Sequence, residues 1–173
     1  MTQKFEFEVS AEYYQFCIQD ESSENLPEWT DEEVERLLAV KAGIIGVGTI
    51  SMGLVRVVVE IGECEPTNDI DGWDQVNECN LQVQSGRLVI AGITDTDAFL
   101  FGGRRIDLEP GAYRIRLYYG DVSSPIDDRF PTDHYRIVVW KAAPGPLRIL
   151  KRRRTVSTSS GPNWLTDVSR MIN

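Results

Sequence analysis

"EPGAYRIRLYYGD", residues 109–121, carries the strand pattern that decides the fold class. Its apolar and polar positions alternate: Tyr113, Ile115, Leu117 and Tyr119 fall on one side of the pattern, and Arg114, Arg116 and Tyr118 on the other. Successive side chains of a strand point to opposite faces of a sheet, so this pattern predicts a strand with one face in a core. The other face is expected to meet water or an arginine-containing neighbour such as the run at 134–141.

Similar short runs recur along the chain, with Gly, Pro and Ser residues between them. They occupy residues 5–11, 14–18, 44–50, 54–61, 77–84, 87–93, 104–108, 134–141 and 147–150. Between the first two runs the alternation slips by one residue, which predicts either a bulge near Ala11 or a junction between two strands. We therefore predict a mainly β fold over residues 1–150, a β-sandwich of about 8–10 short antiparallel strands.

One stretch, LPEWTDEEVERLLAV (residues 26–40), has the pattern of a helix. Thr30 is a good N-cap residue, and Glu33 three positions later completes a capping box. The apolar residues that follow have helical spacing: Val34, Leu37 and Leu38. We predict one short helix at about residues 31–41, with Gly43 as its stop. Acidic residues in a first helical turn also stabilise the helix dipole, so capping explains part of the acidity of this stretch.

Charge is distributed unevenly along the 173 residues. The C-terminal tail, residues 151–173, has five basic residues and one acidic residue, a net charge of +4. The first 150 residues hold the other 13 basic and 26 acidic residues, a net charge of −13, with acidic stretches at 20–35 and 60–78. We predict that the tail is a separate segment, either mobile or docked on the acidic body. Such a body would repel nucleic acid and attract a basic protein, unless its charge serves solubility alone.

Other features of the sequence indicate a cytoplasmic protein. The N-terminus lacks the apolar segment of a secretory signal, and no apolar run approaches the roughly 18 residues of a membrane span. The cysteines are odd in number and lack metal-site spacing, so we expect three free thiols: Cys17, Cys64 and Cys79. We predict no membrane, metal or cofactor. The edge strands of a sandwich would also allow a homodimer.

Two places invite a chemical interpretation. His134 is the only histidine and follows Asp133, but no nucleophile stands at a recognisable spacing, so we expect a surface histidine at the start of a strand. The stretch NDIDGWD (residues 68–74) resembles part of a calcium loop, yet Gly72 follows Asp71 directly, which breaks the EF-hand order. Its Trp73 is either tucked onto the sheet or exposed as an interface anchor. A rival class is therefore a carbohydrate-binding or calcium-assisted ligand-binding module.

Three stretches together resemble the competence protein J family. They are SAEYYQF (10–16), PEWTDEEVERLLAV with AGIIGVGT (27–49), and LEPGAYRIRLYY with the later HYRIVVW (108–119 and 134–140). The resemblance covers about residues 9–141 and implies an intracellular, non-catalytic protein that inhibits a partner nuclease. The acidic stretch near 62–75 and the tail depart from the family pattern, so the partner could be another nuclease or a toxin.

These observations together predict a non-catalytic inhibitor or immunity-type protein that binds a basic partner, such as a nuclease or toxin, through an acidic surface. We predict no catalytic residue. The predicted partner-binding residues are Glu28, Trp29, Asp31, Glu32, Glu35, Asp69, Asp71, Trp73 and Asp74.

Overall fold

The computed structural model describes residues 1–95, 104–123 and 130–154, which form two β-sheets. The strands are β1 (Gln3–Ser10), β2 (Gln15–Asp20), β3 (Leu38–Lys41), β4 (Ile44–Gly48), β5 (Leu54–Gly62), β6 (Gln75–Val83), β7 (Arg87–Gly92), β8 (Arg105–Asp107), β9 (Gly111–Gly120), β10 (His134–Lys141) and β11 (Arg148–Lys151). The described residues also contain one helix, α1 (Asp31–Glu35), and a 3-10 turn (Glu12–Tyr14). No helix among them is long and apolar enough to cross a membrane.

The strands are ordered β1-β5-β10-β9-β6-β11 in one sheet and β3-β4-β2-β7-β8 in the other. All neighbours are antiparallel except β5 and β10, which are parallel. The prediction of a mainly β, two-sheet fold with one short helix is confirmed. The expectation of antiparallel pairing throughout is wrong at the β5–β10 pair. Strand β10 lies between β5 and β9, which run in opposite directions, so it has to be parallel to one of them.

The predicted helix at 31–41 is too long. The helix ends at Glu35, Leu37 adopts a left-handed φ of 54°, and the chain then enters β3 beside β4. Leu37 and Leu38 are buried, as the apolar pattern required, but they reach the core from a turn and a strand. Gly43 belongs to the β3–β4 turn and does not end the helix. This additional strand is one reason why the structure has more strands than the predicted 8–10.

The alternation slip near Ala11 marks a junction between two strands. β1 lies in the six-stranded sheet and β2 in the five-stranded sheet, so the chain changes sheets there. Tyr13 and Tyr14 make the crossing with φ angles of 55° and 56°, a conformation that non-glycine residues rarely adopt. The core between the sheets takes fully buried side chains from both, including Ile115 and Ile137 from one and Phe16 and Ile90 from the other.

The outer face of the six-stranded sheet is also buried over β6, β9 and β10. Of the two alternatives for the polar side of β9, water or an arginine-containing neighbour, the structure has the neighbour, since Arg136 of β10 lies over the ring of Tyr118. The loop at residues 63–74 runs from β5 to β6 over this face. Beneath it Glu78 has no exposed surface, and its carboxylate accepts hydrogen bonds from the guanidinium groups of Arg114, Arg116 and Arg148. Burial alone would raise the pKa of Glu78, but these three hydrogen bonds outweigh it and hold the pKa below the ordinary value of 4.5.

Helix α1 is attached to the sandwich through the carbonyl groups that follow it. Gln75 Nε2 and Asn77 Nδ2 donate to the carbonyl oxygen of Arg36, at 2.5 and 2.8 Å. The Tyr119 hydroxyl donates to the carbonyl oxygen of Leu37 at 2.9 Å. Asn77 is fully buried and also donates to the Tyr119 hydroxyl at 3.2 Å. A five-residue helix has too few internal hydrogen bonds to persist alone, so these side chains fix its position.

Replacing Glu78 by Gln should lower the free energy of unfolding by about 3–5 kcal/mol, because the change leaves buried guanidinium groups without their counter-charge. The matched control is Glu65→Gln. That carboxylate also pairs with Arg116, at 2.7 Å, but its side chain is 58% exposed, and we expect a loss below about 1 kcal/mol. Urea unfolding measures both values, and equal losses would contradict a buried ion cluster.

The same substitution should change the pH dependence of stability. A carboxyl whose pKa is lowered on folding stabilises the folded state above its unfolded pKa, and this contribution disappears as pH falls through the folded pKa. The difference in unfolding free energy between the wild type and Glu78→Gln should therefore be greatest near neutral pH and shrink below about pH 4.5. A difference that stays constant down to pH 3 would contradict the lowered pKa.

Replacing Asn77 by Ala should cost about 1–3 kcal/mol of unfolding free energy, because it removes buried hydrogen bonds at the end of α1. Asn25→Ala is the control: its Nδ2 also donates to a carbonyl, that of Ala42 at 2.7 Å, but in an exposed position. We expect the control to lose less than about 1 kcal/mol. A loss no larger for Asn77→Ala than for the control would show that these bonds do not hold the helix.

Candidate functional site

The predicted site residues gather at one end of the sandwich. Strand β6 begins there at Gln75, opposite Tyr119 near the end of β9, and β10 begins there at His134, opposite Gly120. Helix α1 lies at this end because Gln75 and its neighbours hold it. We call this the helix end. The opposite end carries the β3–β4, β6–β7 and β8–β9 connections.

The helix acids, which we define as Glu28, Asp31, Glu32 and Glu35, are all exposed. Glu28 pairs with Lys41, and Glu32 pairs with Arg36 at 3.1 Å. The Glu28, Glu32 and Glu35 side chains remain 77%, 78% and 74% exposed, so their cations do not shield them from a partner. Asp31 has no cationic partner among residues 1–95, 104–123 and 130–154. The helix acids therefore present carboxylates to solvent from one short segment.

Trp29 lies half-buried beneath this segment. Its indole Nε1 donates to Gln15 Oε1 at 2.9 Å, and its ring lies over Gly46 of β4. A Cβ atom at Gly46 would lie 2.9 Å from the ring and 2.7 Å from Pro27, so only glycine allows this approach. The capping box predicted for Thr30 and Glu33 is present. Trp29 and the capping box thus fix where the helix begins, and the attached Arg36 and Leu37 fix where it ends.

The loop acids, which we define as Asp69, Asp71 and Asp74, have different partners. Asp69 accepts from the Tyr118 hydroxyl at 2.9 Å and from Arg136 at 2.7 Å. Burial alone would raise its pKa, but these two hydrogen bonds outweigh burial and lower it. Asp74 accepts from the backbone N–H groups of Val122 and Ser123. The side chain of Asp71 is exposed.

Trp73 is half-buried at the helix end. Its ring centroid is 5.4 Å from that of Tyr118 and 5.5 Å from that of His134. The sequence left open whether Trp73 is tucked onto the sheet or exposed as an interface anchor. In the structure its ring is tucked against Tyr118 and His134, and part of it remains at the surface.

The rival chemical interpretations find no assembled site in the described residues. Asp69 and Asp74 bind separate protein groups. No group of three His, Cys, Asp or Glu side chains in residues 1–95, 104–123 and 130–154 is arranged to hold a metal ion. His134 is exposed, with Nδ1 3.1 Å from the carbonyl oxygen of Thr132. Asp133 is buried and accepts from Ser51 and Tyr135, so it does not orient the histidine as a catalytic base would require.

A basic segment, residues 151–154, separates the two sets of acids. Lys151 Nζ donates to the carbonyl oxygens of Ile70 and Asp71, at 3.3 and 3.1 Å. Arg152 Nη1 lies 3.9 Å from Glu35 Oε1. This part of the predicted tail is therefore docked on the acidic body, and residues 155–173 lie outside the described part of the chain.

A cleft of about 170 Å³ adjoins the basic segment. Its lining residues are Glu35, Arg36, Gln75, Ile149, Arg152 and Arg153. A larger cleft of about 640 Å³ lies at the opposite end, and its polar lining includes Ser23, Glu24 and Gln84. None of the predicted partner-binding residues except Glu35 lines either cleft.

The residues that hold this site together were not among those predicted from the sequence. Gln75 and Asn77 lie at alternate positions of β6, on the same side as the buried Cys79, Leu81 and Val83. The alternation of this strand therefore places two amide side chains in the core. An amide at an inward position usually bonds a backbone group that lacks another partner, and this is the signal that could have identified them.

The structure is similar to two solved structures. One is ComJ from Bacillus subtilis, an inhibitor of the DNA degrading activity of NucA, with a TM-score of 0.62 and 20% identity over 82% of this chain and 99% of ComJ. The other is the protein of crocagin biosynthetic gene J, with a TM-score of 0.54 and 18% identity over 83% of this chain and 98% of that one. No protein family profile and no curated protein matches the sequence. The chain therefore has the ComJ fold, as its motif resemblance to the competence protein J family predicts.

Proposed function

We propose that this protein is a non-catalytic inhibitor that binds a basic partner, a nuclease or a toxin, through the acids at its helix end. The observation that carries the proposal is the shared fold with ComJ, which inhibits the DNA degrading activity of NucA. The crocagin protein has a similar fold, so the fold alone does not specify the role. The charges of the surface have to support it as well.

The charge distribution supports a basic partner. The nine arginines that the structure describes before residue 150 are each paired with a carboxylate of the same chain. These arginines are therefore not free to neutralise other acids, and the helix acids are among the carboxylates that remain highly exposed. A nuclease needs a basic surface for the phosphates of its substrate, and an acidic protein is attracted to that surface.

The mechanism that follows is competition with DNA. Carboxylates of the helix acids and of Asp71 would occupy cationic positions that otherwise bind phosphates. Trp29 and Trp73 act from beneath the surface, since Trp29 positions the helix acids and Trp73 supports the loop acids. Such binding needs no catalytic group, metal or cofactor in this chain, and it has its purpose inside the cell, where a nuclease threatens the chromosome.

The ligand-binding alternative is best represented by the 640 Å³ cleft at the opposite end. Its polar lining, including Ser22, Asn25 and Gln82, suits a small polar ligand such as a carbohydrate. Calorimetry with a glycan panel, with and without calcium, separates the two functions. An inhibitor of the proposed kind binds no glycan and has a melting temperature that calcium does not change.

The double reversal Asp31→Lys/Glu32→Lys should weaken partner binding by about 10–100-fold, because it removes two exposed carboxylates and adds two positive charges. The melting temperature should change by only a few degrees, since each acid contributes about 0.3–1 kcal/mol to capping and the helix dipole. The readout is DNA degradation by the nuclease that the wild type captures from its native host, and by NucA, titrated with each variant.

The matched control is Asp107→Lys/Glu109→Lys, which changes the net charge equally at the opposite end. Both control side chains are highly exposed, at 94% and 82%. We expect the control to inhibit within about threefold of the wild type, since long-range charge alone has a modest effect. Equal losses in both variants would contradict a specific surface, and a wild type that inhibits neither NucA nor a captured nuclease would contradict nuclease inhibition as its function.

A further inference from the structure

The basic segment lies between the two sets of acids. Strand β11 is the outermost strand of the six-stranded sheet, and consecutive side chains at its end point to opposite sides. Lys151 reaches the carbonyl groups of residues 70 and 71 on one side, and Arg152 approaches Glu35 on the other. Positive charges of this chain therefore stand where the proposed function requires positive charges of the partner.

The contacts of Arg152 and Arg153 are weak, whereas Lys151 donates two hydrogen bonds to backbone carbonyls. Arg152 and Glu35 are 3.9 Å apart, with side chains 66% and 74% exposed, and an ion pair at that distance and exposure stabilises little. Arg153 is half-buried, and its Nε atom is enclosed without a hydrogen-bond acceptor in the described residues. A buried N–H without an acceptor is unfavourable, so this part of the segment is poorly satisfied in its present place.

The cleft beside the segment would suit a guanidinium group of a partner once Arg152 and Arg153 have left it. Its volume of about 170 Å³ remains open although Arg152 and Arg153 line it. The Glu35 carboxylate at its edge is only loosely engaged, and Gln75 contributes an amide. A carboxylate can accept both arms of a guanidinium group, which Arg152 at 3.9 Å does not exploit.

We propose that the gap between the helix acids and the loop acids is a binding groove for an extended, arginine-bearing segment of the protein partner, and that residues 151–154 occupy it until that segment displaces them. The identity of the partner that occupies the groove rests on the proposed function. The basic segment is then a built-in competitor, present at the high effective concentration of any covalently linked ligand. It lowers affinity for weakly basic proteins and admits only a partner with better-placed arginines.

The test compares two triple variants of the full chain. Lys151→Ala/Arg152→Ala/Arg153→Ala removes the three cations of the basic segment that contact the acidic body or line the cleft. The control, Lys4→Ala/Arg56→Ala/Lys141→Ala, removes the same charge from exposed ion pairs elsewhere. The probe is a fluorescent synthetic peptide with the sequence of residues 149–154, ILKRRR, and the readout is anisotropy at low salt. Arg152→Ala alone, which alters one exposed ion pair, is the second variant if the first triple variant does not fold.

We expect the groove variant to bind the peptide about tenfold more tightly than the wild type, and the control to stay within about threefold. The groove variant should also inhibit the captured nuclease at correspondingly lower concentration. Equal peptide binding by both triple variants would overturn the groove. If the groove variant binds the peptide more tightly but no nuclease is inhibited, the groove is supported and the proposed function is contradicted. If a nuclease is inhibited but peptide binding does not differ, the proposed function is supported and the groove is contradicted.

Discussion

The attachment of α1 to β6 and β9 is the constraint on which the rest of the helix end depends. A helix of five residues does not persist alone, and here the carbonyl groups of Arg36 and Leu37 are held by side chains of Gln75, Asn77 and Tyr119. This attachment sets the direction in which the helix acids face. It also brings the chain into β3 and leaves the gap beside β11 in which the basic segment lies.

A second constraint is the way in which the fold uses its arginines. Glu78 is fully buried beneath the loop at 63–74 and draws three arginines to itself, while Arg136 bridges Glu60 and Asp69. Charge pairing thereby closes the outer face over β6, β9 and β10. Because these four arginines are engaged there, they do not pair with the helix acids, and the ion cluster thus shapes the surface proposed for recognition.

The sequence could predict the strands whose alternation is strict. Most of residues 109–121 form β9 (Gly111–Gly120) because apolar and polar residues alternate there. The slip near Ala11 correctly marked a change of strand. The helix was predicted too long because the spacing of Leu37 and Leu38 fits a helix. The side-chain hydrogen bonds that turn the chain into a strand there come from β6, which is distant in sequence. The burial of Arg114 and Arg116 was hidden for the same reason, since it depends on a loop that folds over them.

The candidate site was predictable in part. The capping box at Thr30 and the exposure of the helix acids follow from local sequence, and both are present. The contact between the basic segment and residues 70 and 71 does not follow from local sequence, because it joins parts of the chain that are 80 residues apart. Charge alone suggested that the tail could dock, but only the pairing of β11 with β6 determines where.

Hydrogen–deuterium exchange of this protein, free and bound to the nuclease that the proposed function requires, tests most directly whether the helix end is the docking surface. We predict slower exchange at residues 30–36 and 70–76 in the complex, together with faster exchange at residues 151–154 as the basic segment is displaced. Slower exchange confined to the opposite end, at residues 84–87 and 109–112, with the helix end unchanged, would contradict both the docking surface and the groove.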